Sequence, residues 1–357
     1  MCGAECIREL SEGQNRMTTN DRDERRQGGD EAFLGALLGM AIGDALGMPA
    51  NTAAGPTRPE RIVGYLPLTL ADGTTIEAGE FTDETEFALS IVEVATTDRG
   101  RLDPDLIGPR LVRLEQGDSG HWQDATTRRA LHLAAESLEF QVPLDEDGPV
   151  SAGVASRGMP VGLLASVGEL RLDEIRTDSD LVARLTHGSP AQASAVAAVA
   201  LVTQLAARQS VPPDEWLEQT ADVLEAGAMH DALRGLAPEP DLAGKLRRLG
   251  TGSPEQQVVA AMLAVIGTAT FEEAVLAAVN ADGPSDAIGA IAGALAGAYR
   301  GAGDIPQWLI DGLGGRIYVS LAAPWFRRAA LYRAGVVKDL PMDGGPPPPR
   351  PMLPPRR

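Results

Sequence analysis

The sequence predicts an all-α protein, a compact single-domain bundle of many helices. Aromatic residues make up only 4% of the 357 residues, and Ala is abundant beside 40 Gly. A core of small and aliphatic side chains suits closely packed helices better than a β-sandwich. Sustained alternation of apolar and polar residues, the pattern of half-buried strands, is also scarce.

Apolar residues recur at i, i+3 and i+4 along most of the chain, which predicts helices. The segments with this spacing are 32–47, 82–97, 126–139, 178–186, 191–208, 214–228, 255–266, 271–280 and 286–300. The stretches 48–80 and 140–160 carry Pro, Gly and acidic residues, so we expect loops that cover a site on the helical body. The most apolar run, 193–207, is short and Ala-rich and predicts a buried helix rather than a membrane span.

The two ends of the chain differ in composition from the middle. Residues 1–30 are polar and charged, which predicts a disordered leader before a helical domain at 31–340. Residues 341–357 are Pro-rich and favour polyproline II, so we expect a solvated tail, with a partner that binds PxxP segments as the alternative. The cysteines, Cys2 and Cys6, both precede Met17, an alternative start.

The chain is strongly acidic. Asp and Glu total 50 against 31 Lys and Arg, a formal net charge of −19. This charge repels nucleic acid and anionic membrane surfaces, so neither is expected as a partner. The first thirty residues have no apolar segment typical of a signal peptide, and two cysteines do not indicate a disulfide framework. These observations predict a cytoplasmic protein.

Glycine recurs every four residues in the first and last predicted core helices. The positions are Gly35, Gly39, Gly43 and Gly47, then Gly289, Gly293, Gly297 and Gly301. Each Gly inside a helix costs about 1 kcal/mol relative to Ala. Close approach of the two backbones would offset this cost, so we expect the two helices to pack directly together. An Ala- and Gly-rich core without functional meaning is the alternative.

Three short segments place acids and hydroxyls at predicted helix ends. They read Gly43-Asp44-Ala45-Leu46-Gly47-Met48-Pro49, Phe81-Thr82-Asp83-Glu84-Thr85-Glu86 and Gly283-Pro284-Ser285-Asp286-Ala287-Ile288-Gly289. Taken singly, Thr82 and Ser285 are good helix N-caps, and a following acid complements the helix dipole. Together and in this order the segments resemble the ADP-ribosylglycohydrolase superfamily, whose corresponding segments read GDALGxPxE, TDDT and GGDTDTIGAIAGA. The likeness covers about residues 32–320.

The resemblance implies an all-α body with two Mg²⁺ ions in a cleft, held by carboxylates and hydroxyls of the three segments. There an N- or O-linked ADP-ribose is hydrolysed at its anomeric carbon. Hard oxygen ligands at helix N-termini suit Mg²⁺. Metal ions of this kind orient the ribose hydroxyls and the attacking water near an oxocarbenium-like centre.

Several positions depart from the family pattern. Asn51 replaces its Glu, Glu84 replaces the second Asp of TDDT, and Pro284 and Ala287 replace the first Asp and last Thr of DTDT. By the resemblance, the metal ligands that remain are Thr82, Asp83, Glu84 and Asp286. We therefore expect one ion rather than two, Mg²⁺ with Mn²⁺ as the alternative, and Asp83 and Glu84 as the candidate catalytic acids. Asp282 is a substitute ligand or, more simply, a solvent-facing loop residue.

The resemblance also implies substrate contacts. The family's GNGxxMR-like loop aligns with 151–157, which makes Ser151 and Gly153 candidate substrate-binding residues and puts Ala152 in place of the family's Asn. His187 either binds the ligand or is a buried histidine at a helix start. Asp44 is expected behind the metal ligands, as a hydrogen-bond acceptor or local cap. Three other histidines, His121, His132 and His230, have no metal-ligand spacing.

Two functions remain open. The first is an N-glycosidase that hydrolyses an ADP-ribosylated or ribosylated substrate, either a small molecule or protein-linked ADP-ribose. The alternative is a catalytically inactive protein that binds ADP-ribose. The Asn51 replacement separates them, because without the family's Glu the water has no obvious activator. An interaction protein acting through the Pro-rich tail is a third, weaker alternative, and the leaving group and oligomeric state stay open.

Overall fold

The computed structural model describes residues 29–50, 58–70, 72–117, 120, 122–236 and 241–338. These residues are mostly helical, which confirms the all-α prediction. The helices are α1 (Asp30–Gly47), α2 (Asp83–Thr97), α3 (Pro104–Glu115), α4 (Ala125–Ser137), α5 (Ala152–Ala155), α6 (Gly158–Leu164), α7 (Leu172–Ala183), α8 (Pro190–Arg208), α9 (Trp216–Val223), α10 (Ala228–Arg234), α11 (Leu242–Gly250), α12 (Pro254–Ile266), α13 (Phe271–Val279), α14 (Ser285–Arg300), α15 (Gln307–Gly312) and α16 (Arg316–Arg333).

The centre of the fold is the antiparallel pair α1 and α14, which make the most extensive contact among the described helices. Gly faces Gly along this contact, in the pairs Gly35 and Gly297, Gly39 and Gly293, and Gly43 and Gly289. A Cβ atom added at any of the six would lie between 1.9 and 2.3 Å from a carbonyl oxygen of the other helix. Only glycine permits this approach, so the prediction of direct packing is confirmed.

The ends of the two glycine series behave differently. Gly47 lies against Ser285, where an added Cβ would be 2.3 Å from the Ser285 carbonyl oxygen. Gly301 follows the end of α14 with a φ of +82°, a conformation that favours glycine, and lies beside Glu31. The prediction that Gly301 belongs to the packed face is therefore wrong, because the helix ends before it.

Two apolar clusters hold the other helices around this pair. The larger surrounds α1 and α14 and contains most of the largest buried side chains, among them Phe33, Trp216, Phe271 and Phe326. The Phe33 and Phe326 rings pack edge to face at 5.6 Å, which joins α16 to α1. The second joins α2, α3, α4, α7 and α8 and includes Phe87, Ile91, Leu111, Val182 and Val196. It fixes α2 beside the central pair.

The segment 58–80 crosses the end of the central pair. Asn280 accepts from the Ile62 N–H at 2.9 Å and donates to the Ile62 carbonyl at 2.8 Å. A hairpin is formed by two antiparallel strands of two residues each, β1 (Leu68–Thr69) and β2 (Thr75–Ile76). Leu68 packs with Met48 and Trp122. The described part of 48–80 is thus loop, as predicted, apart from this hairpin and a 3-10 turn at Met48–Ala50.

Some helix boundaries differ from prediction. The helix predicted at 178–186 is α7, Leu172–Ala183, because Leu172 and Ile175 pack into the second cluster. The helix predicted at 214–228 is shorter, because α9 ends at Val223 where Leu224 is extended at ψ 147°, and α10 begins only at Ala228.

The stretch 140–160 is not all loop, because α5 lies within it and α6 begins there. Packing on α8 explains α6: a Cβ at Gly158 or Gly162 would lie 2.3 Å from a carbonyl oxygen of α8. The helices α3, α11, α15 and α16 were not predicted from periodicity. Proline hides two of them, since Pro104 and Pro109 lie in α3 and Pro324 lies in α16.

Two helical stretches, Asp30–Ala50 and Pro190–Arg208, are long and apolar enough to cross a bilayer by composition alone. Their most apolar windows are 94% and 72% buried within the protein, so core packing accounts for the composition. This confirms the prediction of a buried helix at 193–207. Several predictions fall outside the described residues: the leader to residue 28, the tail 341–357, and Cys2, Cys6, Met17, Asn51 and His121.

Enlarging a glycine of the central contact tests this packing. Gly39→Leu and Gly293→Leu should each lower the free energy of unfolding by about 1–3 kcal/mol or more, because the helices must separate. Even Gly293→Ala places a methyl 1.9 Å from the Gly39 carbonyl oxygen. The matched control is Gly227→Ala, where no atom lies within 4 Å. Chemical denaturation of all four variants measures the effect, and equal stability of Gly293→Ala and its control would contradict the packing argument.

Candidate functional site

A cavity of about 250 Å³ lies where the N-termini of five helices meet. The helices are α2, α4, α5, α12 and α14. Acids that line the cavity are Asp83, Glu84, Asp124 and Asp286. The guanidinium of Arg157 is the cationic group among the described lining residues. Unpaired backbone N–H groups and the helix dipoles at such ends favour negative charge, which helps to explain how several acids share one cavity.

Asp44 anchors the start of α2 to the end of α1. Its carboxylate accepts from the Thr82 N–H at 3.1 Å and Thr82 Oγ1 at 2.7 Å, and from the Thr85 N–H at 3.1 Å and Thr85 Oγ1 at 2.6 Å. Burial raises the pKa of Asp44 to about 7, against the opposing effect of the two hydroxyls. Asp44 is an acceptor behind the cavity, as the sequence predicts. Thr82 occupies the N-cap position of α2, but its hydroxyl bonds to Asp44 and does not cap the helix.

The Thr82 hydroxyl lies between two carboxyl groups. Thr82 Oγ1 is within hydrogen-bond distance of both Asp44 Oδ1 and Glu84 Oε2. A hydroxyl has one hydrogen to donate, so one of the two carboxyl groups must donate to it. Burial and the charge of Asp44 raise the pKa of Glu84 to about 7. The pKa of Asp44 is raised equally, but its carboxylate also accepts from the Thr82 and Thr85 N–H groups and Thr85 Oγ1, so we assign the proton to Glu84, which donates to Thr82 Oγ1.

The other two predicted metal ligands complete the acidic wall. Burial raises the pKa of Asp83 well above its ordinary value, and the charges of Glu84 and Asp286 raise it further. Asp286 is 3% exposed and lies in the first turn of α14, where Oδ1 accepts from the Ala287 N–H at 2.9 Å. Asp83 therefore holds its proton more readily than an exposed aspartate does.

The residues present fit a hard cation by donor type. Carboxylates and hydroxyls from Thr82, Asp83, Glu84 and Asp286 are the oxygen ligands that Mg²⁺ and Mn²⁺ prefer. By position, however, no group of three His, Cys, Asp or Glu side chains within the described ranges is arranged to hold a metal ion. The hydrogen bond between Glu84 and Thr82 keeps one carboxyl turned toward the α2 N-terminus.

The loop before α5 brings two predicted substrate contacts to the same wall. Ser151 is fixed by Gln192, which accepts from its N–H at 2.6 Å and donates to its carbonyl at 3.1 Å. A Cβ at Gly153 would lie 2.6 Å from Glu84 Oε1, so glycine leaves room for that carboxyl. Ala152, where the family has Asn, also lines the cavity.

His187 does not line the cavity itself but lies behind Asp124. Thr186 Oγ1 accepts from Arg157 Nη1 at 2.7 Å and bonds to His187 Nδ1 at 3.0 Å. With one hydrogen and two lone pairs, the Thr186 hydroxyl bonds to Arg157 and can bond to His187 Nδ1 in either tautomer of the ring. Burial and then the charge of Arg157 lower the pKa of His187 to about 4, so the ring is neutral.

Ser285 and Asp282 differ from their predicted roles. Ser285 Oγ donates to the Val279 carbonyl at 2.8 Å and accepts from Arg58 at 2.7 Å, so it does not cap α14. Asp282 lies 3.6 Å from the Arg58 guanidinium, with 44% of its side chain exposed. Arg58 also donates to the Gly283 carbonyl at 2.8 Å. Of the two interpretations of Asp282, the solvent-facing loop residue agrees with its position.

The structure thus brings Asp83, Glu84, Ser151, Gly153 and Asp286 to one cavity, with Thr82 and His187 buried behind the wall. Sequence reasoning missed Trp122, Asp124 and Gln257 as lining residues. Asp124 was recognisable as an N-cap, since Asp before Ala-Thr-Thr precedes a periodic segment. Its proximity to the α2 acids depends on tertiary packing, which the sequence pattern does not contain.

The depressed pKa of His187 predicts a pH-dependent loss of stability. Its pKa is about 4 in the folded chain and about 6.5 when unfolded, so the unfolded state binds the proton more readily. The resulting destabilisation is absent above pH 6.5, grows as pH falls and stops growing below pH 4. Between pH 7.5 and 5.0 the wild type should lose about 2 kcal/mol more than His187→Gln. Urea denaturation at both pH values measures this, and parallel losses in the two proteins would refute it.

Gly153 offers a second test, of the cavity wall. Gly153→Ala should displace the Glu84 carboxyl, because the added methyl would lie 2.6 Å from Oε1. Stability should change little, since the flexible end of Glu84 can move. Ligand or cation affinity measured by calorimetry should fall, and the control is again Gly227→Ala. Unchanged affinity would mean that the Glu84 position does not matter for binding.

Comparison with known proteins identifies the family of the chain. The family model of the ADP-ribosylglycohydrolases matches residues 24–338. An uncharacterized protein of Archaeoglobus fulgidus is 29% identical over 301 residues, covering 81% of this chain and 94% of that protein. The ADP-ribosylarginine hydrolase Tri1 of Serratia proteamaculans is 28% identical over 294 residues, covering 78% and 74%.

A further relative and a solved structure are similar over most of this chain. The ADP-ribosyl-[dinitrogen reductase] glycohydrolase of Rhodospirillum rubrum is 26% identical over 285 residues, covering 77% of this chain and 88% of the relative. Among solved structures, an ADP-ribosylglycohydrolase-related protein complex has a chain that superposes with a TM-score of 0.66 at 28% identity. The match covers 87% of this chain and 99% of that one. The fold, the motifs and the family match agree: this chain belongs to the ADP-ribosylglycohydrolase family.

Proposed function

We propose that the protein is an N-glycosidase that hydrolyses the bond between ADP-ribose and a nitrogen of its substrate, free or protein-linked. One observation carries the proposal: acids from two helix N-termini, Asp83 and Glu84 of α2 and Asp286 of α14, line one cavity with the 151–157 loop. Two relatives are named as hydrolases of ADP-ribosylated substrates. Glycoside hydrolysis commonly uses paired carboxyl groups on one cavity.

The proposal includes one divalent cation, Mg²⁺ or Mn²⁺, held by Thr82, Asp83, Glu84 and Asp286. Three closely placed carboxyl groups repel one another when ionised, and a cation offsets that repulsion. For Glu84 to contribute, its carboxyl must release Thr82 Oγ1 and lose its proton. The chemistry that a bound divalent ion supplies is orientation of ribose hydroxyls and polarisation of water.

The chain's own groups supply proton transfer and orientation. Glu84 has a pKa of about 7, so it exchanges a proton near neutral pH, as a general acid or base must. Its Oε1 lies beside Gly153, so the loop backbone limits where the carboxyl can point. Arg157 is buried, and its guanidinium lies over the Phe87 ring at 4.9 Å, which fixes a positive charge beside the acids.

Binding of ADP-ribose without cleavage is the second candidate. The observation that favours it is the absence, among the described residues, of three acidic or imidazole side chains at metal-binding spacing. In this case the cavity would hold the nucleotide while no group activated water. A turnover assay separates the two candidates directly.

The cation proposal predicts one binding event per chain. Calorimetry with Mg²⁺ or Mn²⁺ should give a stoichiometry of at most one ion per chain. The free energy of unfolding should rise by about 2.7 kcal/mol when the free ion concentration is a hundred times Kd. Asp286→Ala should abolish both effects, because Asp286 joins α14 to the acids of α2. The matched control is Asp173→Ala, an exposed acid in the first turn of α7. Two ions per chain, or binding indifferent to Asp286→Ala, would contradict the single site, and Asp282 would then be the next ligand to test.

The catalytic proposal predicts turnover of ADP-ribosyl-arginine with a divalent ion present. Glu84→Gln should lower kcat by about 10²–10⁴-fold, the usual contribution of a general acid or base. The control is Glu77→Gln, exposed on the loop before α2. Chromatography of released ADP-ribose measures the rate. ADP-ribose binding without any turnover would establish the binding protein instead.

A triple variant tests whether the ligands that the family pattern predicts can be restored. Asn51→Glu, Pro284→Asp and Ala287→Thr together reinstate the family pattern. We expect calorimetry to show a second cation and the hydrolysis rate of ADP-ribosyl-arginine to rise. A single binding event in this triple variant would mean that the pattern alone does not define the second position.

A further inference from the structure

The 151–157 loop carries a polar side chain at each end that is available to a ligand. Ser151 lines the cavity, and its hydroxyl neither caps α5 nor forms another hydrogen bond within the described ranges. Arg157 lines the cavity as well. Among its guanidinium nitrogens only Nη1 bonds to described residues, the Val182 carbonyl at 3.3 Å and Thr186 Oγ1 at 2.7 Å. Both ends of the loop therefore keep donors that a ligand can use.

Gln192 fixes the first end of the loop. It lies in the first turn of α8 and is 0% exposed. Its amide oxygen accepts from the Ser151 N–H at 2.6 Å, and its amide nitrogen donates to the Ser151 carbonyl at 3.1 Å. An amide that both accepts from and donates to one residue fixes the position and the direction of that backbone. The Ser151 hydroxyl is thereby held at one place on the cavity wall.

Thr186 fixes the other end of the loop. Its hydroxyl accepts from Arg157 Nη1, and the Phe87 ring lies 4.9 Å from the centre of the same guanidinium. Thr186 and Arg157 are 2% and 3% exposed. Removing a hydrogen-bond partner costs most where water cannot replace it. The orientation of the Arg157 guanidinium therefore depends on Thr186.

Both contacts come from one short segment, 186–192, which is itself held firmly. Ser189 caps α8, because its Oγ accepts from the Ala191 N–H at 3.2 Å. Gly188 packs so closely on the preceding loop that an added Cβ would lie 2.0 Å from the Pro143 carbonyl oxygen. After this segment, α8 runs through the buried core. Groups supported by such an element keep a binding loop in a defined geometry.

We propose that Gln192 and Thr186 are positioning residues for ligand binding. Segment 186–192 holds both ends of the 151–157 loop, so that the Ser151 hydroxyl and the Arg157 guanidinium meet a ligand in a fixed geometry. Neither Gln192 nor Thr186 is among the described residues that line the cavity, so both act through the loop. The inference rests on the proposed function, because it takes ADP-ribose as the ligand.

The first experiment compares Gln192→Met with Gln204→Met. Methionine keeps a similar length and removes both hydrogen bonds to Ser151. Gln204 also lies on α8 and is 3% exposed, but its side chain makes no hydrogen bond to the described 151–157 loop. Calorimetry gives the Kd of ADP-ribose, and urea denaturation gives the stability of each variant. Gln192→Met should raise the Kd by about tenfold, and Gln204→Met should leave it within about twofold.

A double-variant cycle separates positioning from general destabilisation. Ser151→Ala should raise the Kd of ADP-ribose by about tenfold in the wild type. In the Gln192→Met background it should raise the Kd by less than about twofold, because Gln192 acts through Ser151. In the Gln204→Met background Ser151→Ala should keep its full effect.

Thr186 is tested by loss and rescue of its hydroxyl. Thr186→Val keeps the side-chain shape and should raise the Kd by about tenfold, whereas Thr186→Ser restores the hydroxyl and should return the Kd to within about twofold of wild type. The control is Thr203→Val, since Thr203 is a buried threonine of α8 whose hydroxyl has no partner. If Gln192→Met folds poorly by circular dichroism, Gln192→Glu replaces it, because an ionised Glu keeps the acceptor and loses the donor.

The outcomes separate the two proposals. If the wild type neither binds ADP-ribose nor hydrolyses ADP-ribosyl-arginine, the proposed function fails and this inference fails with it. If the wild type binds ADP-ribose while the Gln192 and Thr186 variants behave like their controls, only the positioning role is overturned. Fully additive effects of Ser151→Ala and Gln192→Met overturn it too, because Gln192 would then not act through Ser151.

Discussion

The backbone contact between α1 and α14 determines where the functional groups lie. Gly43 packs on Gly289 and Gly47 packs on Ser285, so the end of α1 lies against the start of α14. Asp44 and Asp286 therefore come close enough for the charge of Asp286 to raise the Asp44 pKa. Asp44 in turn holds the first turn of α2, with Asp83 and Glu84. The glycine contact thus brings three separate segments of the chain to one cavity.

Concentrating acids in this way opposes stability. An ionised carboxyl loses its hydration on burial, and neighbouring negative charges add to that cost. The raised pKa values of Asp44 and Glu84 reflect this cost. Hydroxyl donors and helix N-termini offset part of the cost, and protonation of Glu84 offsets more. A carboxyl group that keeps its proton at neutral pH can lose it to water when a cation binds or donate it to a substrate, so the instability and the proposed chemistry have the same origin.

Periodicity and motifs in the sequence were enough for the helices at the centre, the glycine contact and the acids of α2 and α14. They failed where tertiary packing decides. Helix α16 carries Pro324 in its interior, and α6 is stabilised by the fit of Gly158 and Gly162 on α8, which no local pattern reveals. Ser285 fits an N-cap signature, yet its hydroxyl bonds to the Val279 carbonyl and to Arg58. Neither residue is part of the motif, and Arg58 is far from α14 in the sequence.

The turn that precedes α14 is stabilised by contacts with Arg58. Asp282 and Gly283 have φ values of +62° and +66°, and a non-glycine residue in that region is strained. Arg58 holds this turn through the Gly283 carbonyl and the Ser285 hydroxyl, with Asp282 as its ion-pair partner. A fixed guanidinium therefore maintains the loop beside Pro284, where the pattern calls for an acid. With this turn held in place, Asp286 lies in the first turn of α14 and lines the cavity.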